Sequence, residues 1–227
     1  MSVWLPFKNR QDAGRALAVT VAKRKFANPI ILAMPRGGVP VGIEIAKQLH
    51  APLDFVFVRR IGVPGHREVA MAAVVDGANP ELVLNEEIGR RIDIPQSYID
   101  AEMKSELEEI DRRRREYVGP TAGPDIAGHT AIVVDDGIAT GTSMRAAIKA
   151  LRRKAPKELI VAVPVAPHDV VASLRSDADE VICLQSPEPF YAVGMHYADF
   201  HQIDDDEIAQ ALAEFRKSIP REHHATS

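Results

Sequence analysis

Two adjacent carboxylates, Asp135 and Asp136, are followed by Gly137 and then by the hydroxyl-rich turn Thr140-Gly141-Thr142-Ser143. Carboxylates accept hydrogen bonds and attract cations, so the pair suits vicinal hydroxyls, a metal or a metal-bound water. The turn suits the opposite charge. Gly137 and Gly141 let the backbone come close to a ligand, and Thr140, Thr142 and Ser143 carry hydroxyl donors. A helix beginning near Thr142 would leave its first amides unpaired at the positive end of its macrodipole, which is a site for phosphate. A sugar phosphate satisfies both halves, with its hydroxyls on the acids and its 5′-phosphate in the turn from Ala139 to Ser143.

These side chains need elements to hold them. Residues 131–134 are Ala-Ile-Val-Val, an apolar run suited to a strand buried on both faces of a parallel sheet, with the acids at its carboxyl end. Residues 30–34 form a similar run that leads into Pro35-Arg36-Gly37-Gly38, the same topological position on another strand. Paired glycines there would free backbone amides for an anion, and Arg36 adds a charge suited to phosphate oxygens. Elsewhere the pattern predicts a helix capped by Asn9 and reaching about residue 26, a helix over about 40–50, a strand over 53–58 and a basic loop over 59–67. Strands over 68–75 and 81–84 follow, around an Asp76-Gly77 turn. Residues 86–118 read as helical with an interruption at Pro95, and Ile99, Met103, Leu107 and Ile110 share one face. Beyond the acid turn come a helix to about 154, a strand over 159–163, a helix over 168–174, a strand over 180–184, an irregular aromatic stretch over 187–201 and a helix over about 204–218. Strand and helix alternation of this kind implies a parallel sheet with helices on both faces.

The 227 residues are 46% apolar and 26% charged, an ordinary globular balance. A net charge of −4 argues against general nucleic-acid binding. The single cysteine, Cys183, lies in an apolar run and reads as a buried strand residue in a reducing compartment. With no signal-like leader and no long apolar stretch, a cytoplasmic protein without membrane association is expected. The basic run Arg112-Arg113-Arg114-Arg115 follows Glu108, Glu109 and Asp111 at helical spacing and reads as a solvated, ion-paired helix face. Neither a P-loop nor a dinucleotide fingerprint occurs, and no serine, cysteine or histidine arrangement suggests a covalent nucleophile.

The segment Val133-Val134-Asp135-Asp136-Gly137-Ile138-Ala139-Thr140-Gly141-Thr142 resembles the phosphoribosyl pyrophosphate (PRPP) motif of type I phosphoribosyltransferases. Met34-Pro35-Arg36-Gly37-Gly38 resembles that family's pyrophosphate loop, which often contains an unusual cis peptide. Arg59-Arg60-Ile61-Gly62-Val63-Pro64, with His66 and Arg67, corresponds to a mobile loop that covers the site. Ser186 to Phe200, rich in aromatics, corresponds to a hood that recognises the base. With the Pro-Glu-Pro-Phe-x-Ala-Val-Gly hood, these motifs are similar to one branch of small bacterial members over residues 5–215. Asn9 departs from the acid expected before Arg10.

The resemblance implies an α/β fold, a Rossmann-like parallel-sheet core with a helical excursion at about 86–118 and a small hood at about 186–202. One domain is expected over 1–220, with a disordered tail over 221–227. It also implies a reaction, transfer of the 5-phosphoribosyl group between PRPP and a nitrogenous base or amine with release of pyrophosphate. Asp135, Asp136 and Arg60 would be catalytic; Ala139, Thr140, Gly141, Thr142 and Ser143 would bind the 5′-phosphate; Arg36, Gly37, Gly38 and Arg59 would bind pyrophosphate; Phe190 and Tyr191 would meet the base. Mg2+ would be held through PRPP and water near Asp135 and Asp136 with no direct protein ligand, and a homodimer is expected. The rivals are a PRPP- or nucleotide-binding regulator without turnover, and a sugar-phosphate hydrolase or phosphorylase using the same pocket.

Overall fold

The computed structural model describes residues 5–76, 80–84, 94–119 and 123–218. Helix α1 (Arg10–Val21) leads into β1 (Pro29–Ala33), α2 (Gly38–Leu49) and β2 (Leu53–Phe55). Strands β3 (Val58–Val63), β4 (His66–Val75) and β5 (Glu81–Leu84) precede the long helix α3 (Gln96–Tyr117). The chain returns through β6 (Thr130–Val134), α4 (Thr142–Arg152), β7 (Glu158–Val165), α5 (His168–Leu174), β8 (Glu180–Gln185), a 3-10 turn at Val193–His196 and α6 (Asp205–Ser218).

Five strands form a parallel sheet in the order β2-β1-β6-β7-β8, with Leu32 beside Val133 and Val133 beside Val161. All five residues of β6 are buried, the apolar run 131–134 as expected and Thr130 with it. Side chains of the sheet alternate between two cores. Ile31, Ala33, Ile132, Val134 and Ile160 pack with residues of α1, α2, α3 and α6, whereas Leu32, Val133, Val161 and Val163 pack with residues of α4 and α5. The crossover from β1 runs outward to β2 and that from β6 runs outward to β7, so the order reverses between β1 and β6. Ligands of open α/β sheets bind at such a switch point, outside the carboxyl ends of the strands.

Three expectations are corrected. The stretch 59–67 is not a loop: β3 and β4 pair antiparallel, Arg60 opposite Ala73, around a turn that contains Gly65 at φ 77°. Ile61 and Val63 are buried, and Pro64-Gly65 supplies the turn, so turn chemistry and alternation outweigh the charge density that suggested a loop. The stretch 53–58 is also divided, with Leu53–Phe55 in the parallel sheet and Val58 opening the three-stranded sheet β3-β4-β5. Helix α1 stops at Val21 rather than near residue 26. Asn9 does cap it, accepting from the Asp12 amide at 2.9 Å, while Asp12 accepts from the Lys8 amide. Gly77, the first part of the helical stretch and residues 221–227 lie outside the described residues.

The arginine run divides by face. Arg112 pairs with Glu109 and Glu116, and Arg113 with Glu109, whose carboxyl these hydrogen bonds hold down to about 2. Arg114 instead turns inward and bridges Asp54 at 2.8 Å and Asp76 at 2.7 Å. It thereby ties α3 to the end of β2 and to the end of β4. Cys183 lies in β8, half-buried, with its thiol donating to the Gln185 carbonyl, and burial pushes it up from its ordinary value. Among the described residues no helix is long and apolar enough to cross a membrane.

Candidate functional site

The carboxyl ends of β1 and β6 are neighbours, and the Met34 amide donates to the Val134 carbonyl at 2.8 Å, extending the ladder past both strands. The two loops that follow are pressed together. A Cβ on Gly38 would lie 2.5 Å from the Val134 carbonyl oxygen, and one on Gly37 would collide with the Asp136 carboxylate. Glycine is therefore required at both positions by the approach of the acid turn. The Gly38 amide is engaged by Met34 O at 3.0 Å, so a steric requirement, rather than a freed amide, explains that residue. The Pro35–Arg36 peptide is cis, a feature often found in the pyrophosphate loop that this turn resembles.

Asp136 is clasped from several sides. Arg10 Nε donates to its Oδ2 at 2.6 Å, and the Tyr197 hydroxyl donates to its carbonyl oxygen at 2.5 Å. Arg10 also donates through Nη1 to the His201 carbonyl at 2.9 Å, and its guanidinium lies 3.8 Å above the centre of the Phe200 ring. Asp135 accepts the Asp136 amide at 2.9 Å. Burial pushes the Asp135 carboxyl well above the usual carboxylate range, and the neighbouring Asp136 charge adds to this. Burial raises Asp136 too, but its bond to Arg10 opposes the shift and favours the ionised form. The two acids are thus electrostatically unequal, with Asp136 the better-supported anion.

The turn beyond them is open. Ile138 is buried and its amide reaches Val165 O, whereas Ala139, Thr140 and Thr142 are exposed. Gly141 has φ 77° and no side chain caps α4, so the first amides of that helix face outward beside the Thr140 and Thr142 hydroxyls, which lie 3.2 Å apart. This arrangement matches the requirements of a phosphate group. Among the described residues no group of three or more His, Cys, Asp or Glu side chains is placed to hold a metal ion by itself.

The remaining candidates are dispersed. Arg36, half-buried, lies 4.0 Å from Asp205 at the start of α6, a carboxylate that also accepts from the Tyr117 hydroxyl. Arg59 is paired with Glu106 of α3 at 2.6 Å, and Arg60 is exposed on the same strand. Phe190 stacks on His196 with ring centres 5.0 Å apart, and Tyr191 is 74% exposed. Tyr197 is the hood aromatic that reaches Asp136, and Phe200, its ring 5.0 Å from that of Tyr197, lies against Arg10. The hood is also joined to the chain's beginning: Phe7 donates to His196 O, and Ala198 and Asp199 donate to Phe7 O and Lys8 O. Arg10 carried no signal as a site residue in the sequence, because its partner is 126 positions away.

The family model of the phosphoribosyl transferase domain matches residues 7–199. Two curated Mycobacterium tuberculosis proteins, from strains CDC 1551 and H37Rv, carry provisional phosphoribosyl transferase names and are 40% identical over 206 residues. The match takes in 91% of this chain and 46% of theirs, so the chain spans about half the length of the curated relatives it matches. Among solved structures, the crystal structure of TT1426 from Thermus thermophilus is similar at 37% identity with a TM-score of 0.78, covering 93% of this chain and 99% of that one.

Proposed function

Since the chain belongs to the phosphoribosyl transferase family, we propose that it transfers the 5-phosphoribosyl group of PRPP to a nitrogen of a nucleobase-like acceptor. The observation that carries this reading is the packing of the Asp136 carboxylate against Gly37, which makes one crevice of the acid turn and the Pro-Arg-Gly-Gly turn. A sugar bearing phosphate at one end and pyrophosphate at the other would use both.

In the reaction the C1–O bond to pyrophosphate breaks with its electron pair leaving on the pyrophosphate oxygen. The acceptor nitrogen forms the new C1–N bond and gives up its proton. Between these events C1 carries cationic character, so catalysis consists of placement and charge stabilisation. Asp136, ionised beside Arg10, accepts hydrogen bonds from the ribose hydroxyls and opposes the ring's developing positive charge. Asp135 shares the hydroxyls. The amides and hydroxyls of Ala139, Thr140, Gly141, Thr142 and Ser143 hold the 5′-phosphate. Arg36 and the Gly37-Gly38 turn receive the leaving pyrophosphate, Arg36 exchanging Asp205 for phosphate oxygens. Arg60 is exposed and available to the leaving group, whereas Arg59 must first release Glu106. Phe190 and Tyr191 offer flat faces to the base.

Mg2+ fits this chemistry: the donors at the strand end are hard carboxylate oxygens, too few to form a cage and suited to an ion that keeps waters and phosphate oxygens. When bound, it would neutralise charge on the departing pyrophosphate, held through PRPP and water near Asp135 and Asp136. The test is pyrophosphate release from PRPP and Mg2+ with a panel of nucleobases. Release that needs a base and is lost in Asp136→Asn supports the proposal. PRPP binding without release for any base would replace it with a regulator, and release without any base would replace it with a hydrolase.

A further inference from the structure

Arg10 occupies the first position of α1, where the positive end of the helix dipole disfavours a cation. It is nevertheless only 9% exposed. Burial of a guanidinium at such a place is tolerated when its donors and its face are engaged, and here Nε, Nη1 and the flat face are. One edge meets the Asp136 carboxylate, another meets the His201 carbonyl, and the flat face lies on Phe200. Its partners therefore belong to two units, the acid turn after β6 and the hood segment 197–201. Tyr197 of the same segment donates to the Asp136 carbonyl and packs its ring on Phe200. The Asp136 carboxylate also occupies the space that a Cβ on Gly37 would need.

We infer that Arg10 is a positioning residue, which fixes the Asp136 carboxylate and couples it to the hood, so that affinity for the sugar donor depends on the hood being in place. The inference rests on the reading of Asp136 as a ligand of the donor's ribose. A lysine could supply the charge but not the fork, since only a guanidinium reaches carboxylate and carbonyl from one plane while stacking on a ring. The side chain of Arg10 thus transmits the state of the acceptor side to the donor side through three contacts.

The test is calorimetric titration of PRPP with Mg2+ into wild type, Arg10→Gln, Arg10→Lys and Phe200→Leu, paired with hydrogen exchange over 133–143 and 197–203. Arg10→Gln is expected to weaken PRPP binding by about tenfold or more and to raise exchange in both segments, because one partner of a buried charge pair is lost. Arg10→Lys should recover part of the affinity, and Phe200→Leu should weaken it several-fold with the ion pair chemically intact. A folded Arg10→Gln that binds PRPP as wild type does, or whose exchange rises only over 197–203, overturns the inference. If wild type itself binds no PRPP, the donor reading falls, and exchange over 133–143 alone then decides whether Arg10 holds the acid turn. Should Arg10→Gln fail to fold, Arg10→Lys and Phe200→Leu carry the same two readouts.

Discussion

Asp135 and Asp136 are adjacent in sequence yet differ in charge environment, because one faces Arg10 and the other is enclosed without such a bond. A carboxyl whose folded pKa is raised binds its proton more tightly in the native state, so stability falls as pH rises from the unfolded value near ~3.9 through the folded one. Asp135→Asn removes that loss and can still accept the Asp136 amide. It should raise Tm at pH 7 by about 2–4 °C, roughly 1 kcal/mol, and the gain should vanish towards pH ~4. Melting curves across that range check it, and a lower Tm at pH 7 would contradict it. Gly37→Ala places a methyl in the space of the Asp136 carboxylate. It should weaken PRPP binding by about tenfold or more while far-UV circular dichroism stays unchanged, the loop moving to relieve the overlap.

Helix α3 joins the two sheets, and Arg114 is its main polar anchor. Burial raises the Asp76 carboxyl even beside Arg114, a sign that the network is costly to leave half-made. Arg114→Met should destabilise the fold by about 3–5 kcal/mol in urea titration, and adding Asp54→Asn and Asp76→Asn should recover part of that. Equal stability of the single and triple variants would contradict it. Helix spacing contained part of this information: Arg113 and Arg114 each lie three or four residues from the buried Ile110 and Tyr117 and so border the apolar stripe, whereas Arg112 lies on the solvated face. That Arg114 is the one to meet Asp54 and Asp76 follows from the fold. At the hood, His201 sits between Asp199 and Glu207, whose hydrogen bonds raise its pKa. The clasp to α6 is therefore complete below pH ~6.5 and is lost as pH rises through the folded value. Corrected for intrinsic rates, hydrogen exchange over 199–207 should rise across that interval in wild type and stay flat in His201→Gln.

At the scale of the molecule, the half of the candidate site proposed to hold the donor was legible because it is contiguous: strand, acid pair and hydroxyl-rich turn follow one another within residues 130–143. The parallel sheet with helices on both faces was legible from the alternation of apolar runs and helices, and the two-core sheet agrees with it, whereas the adjacency of β1 and β6 comes from the fold. The parts that were not legible are those made by distant residues. Arg10 meets Asp136 across 126 positions, and the hood is built from both Phe7 and Tyr197. The basic hairpin is masked in the sequence by its charge density, because what builds it is the Pro64-Gly65 turn and the burial of Ile61 and Val63. The claim on which all of this converges is that two strand-end turns form one receptor for PRPP. Calorimetric titration of PRPP with Mg2+ into wild type, Asp136→Asn and Thr140→Val tests it most directly. Saturable binding at one site per chain in wild type, weakened by about tenfold or more in each variant, is the predicted result. No binding by wild type, or equal binding by all three, would contradict the account.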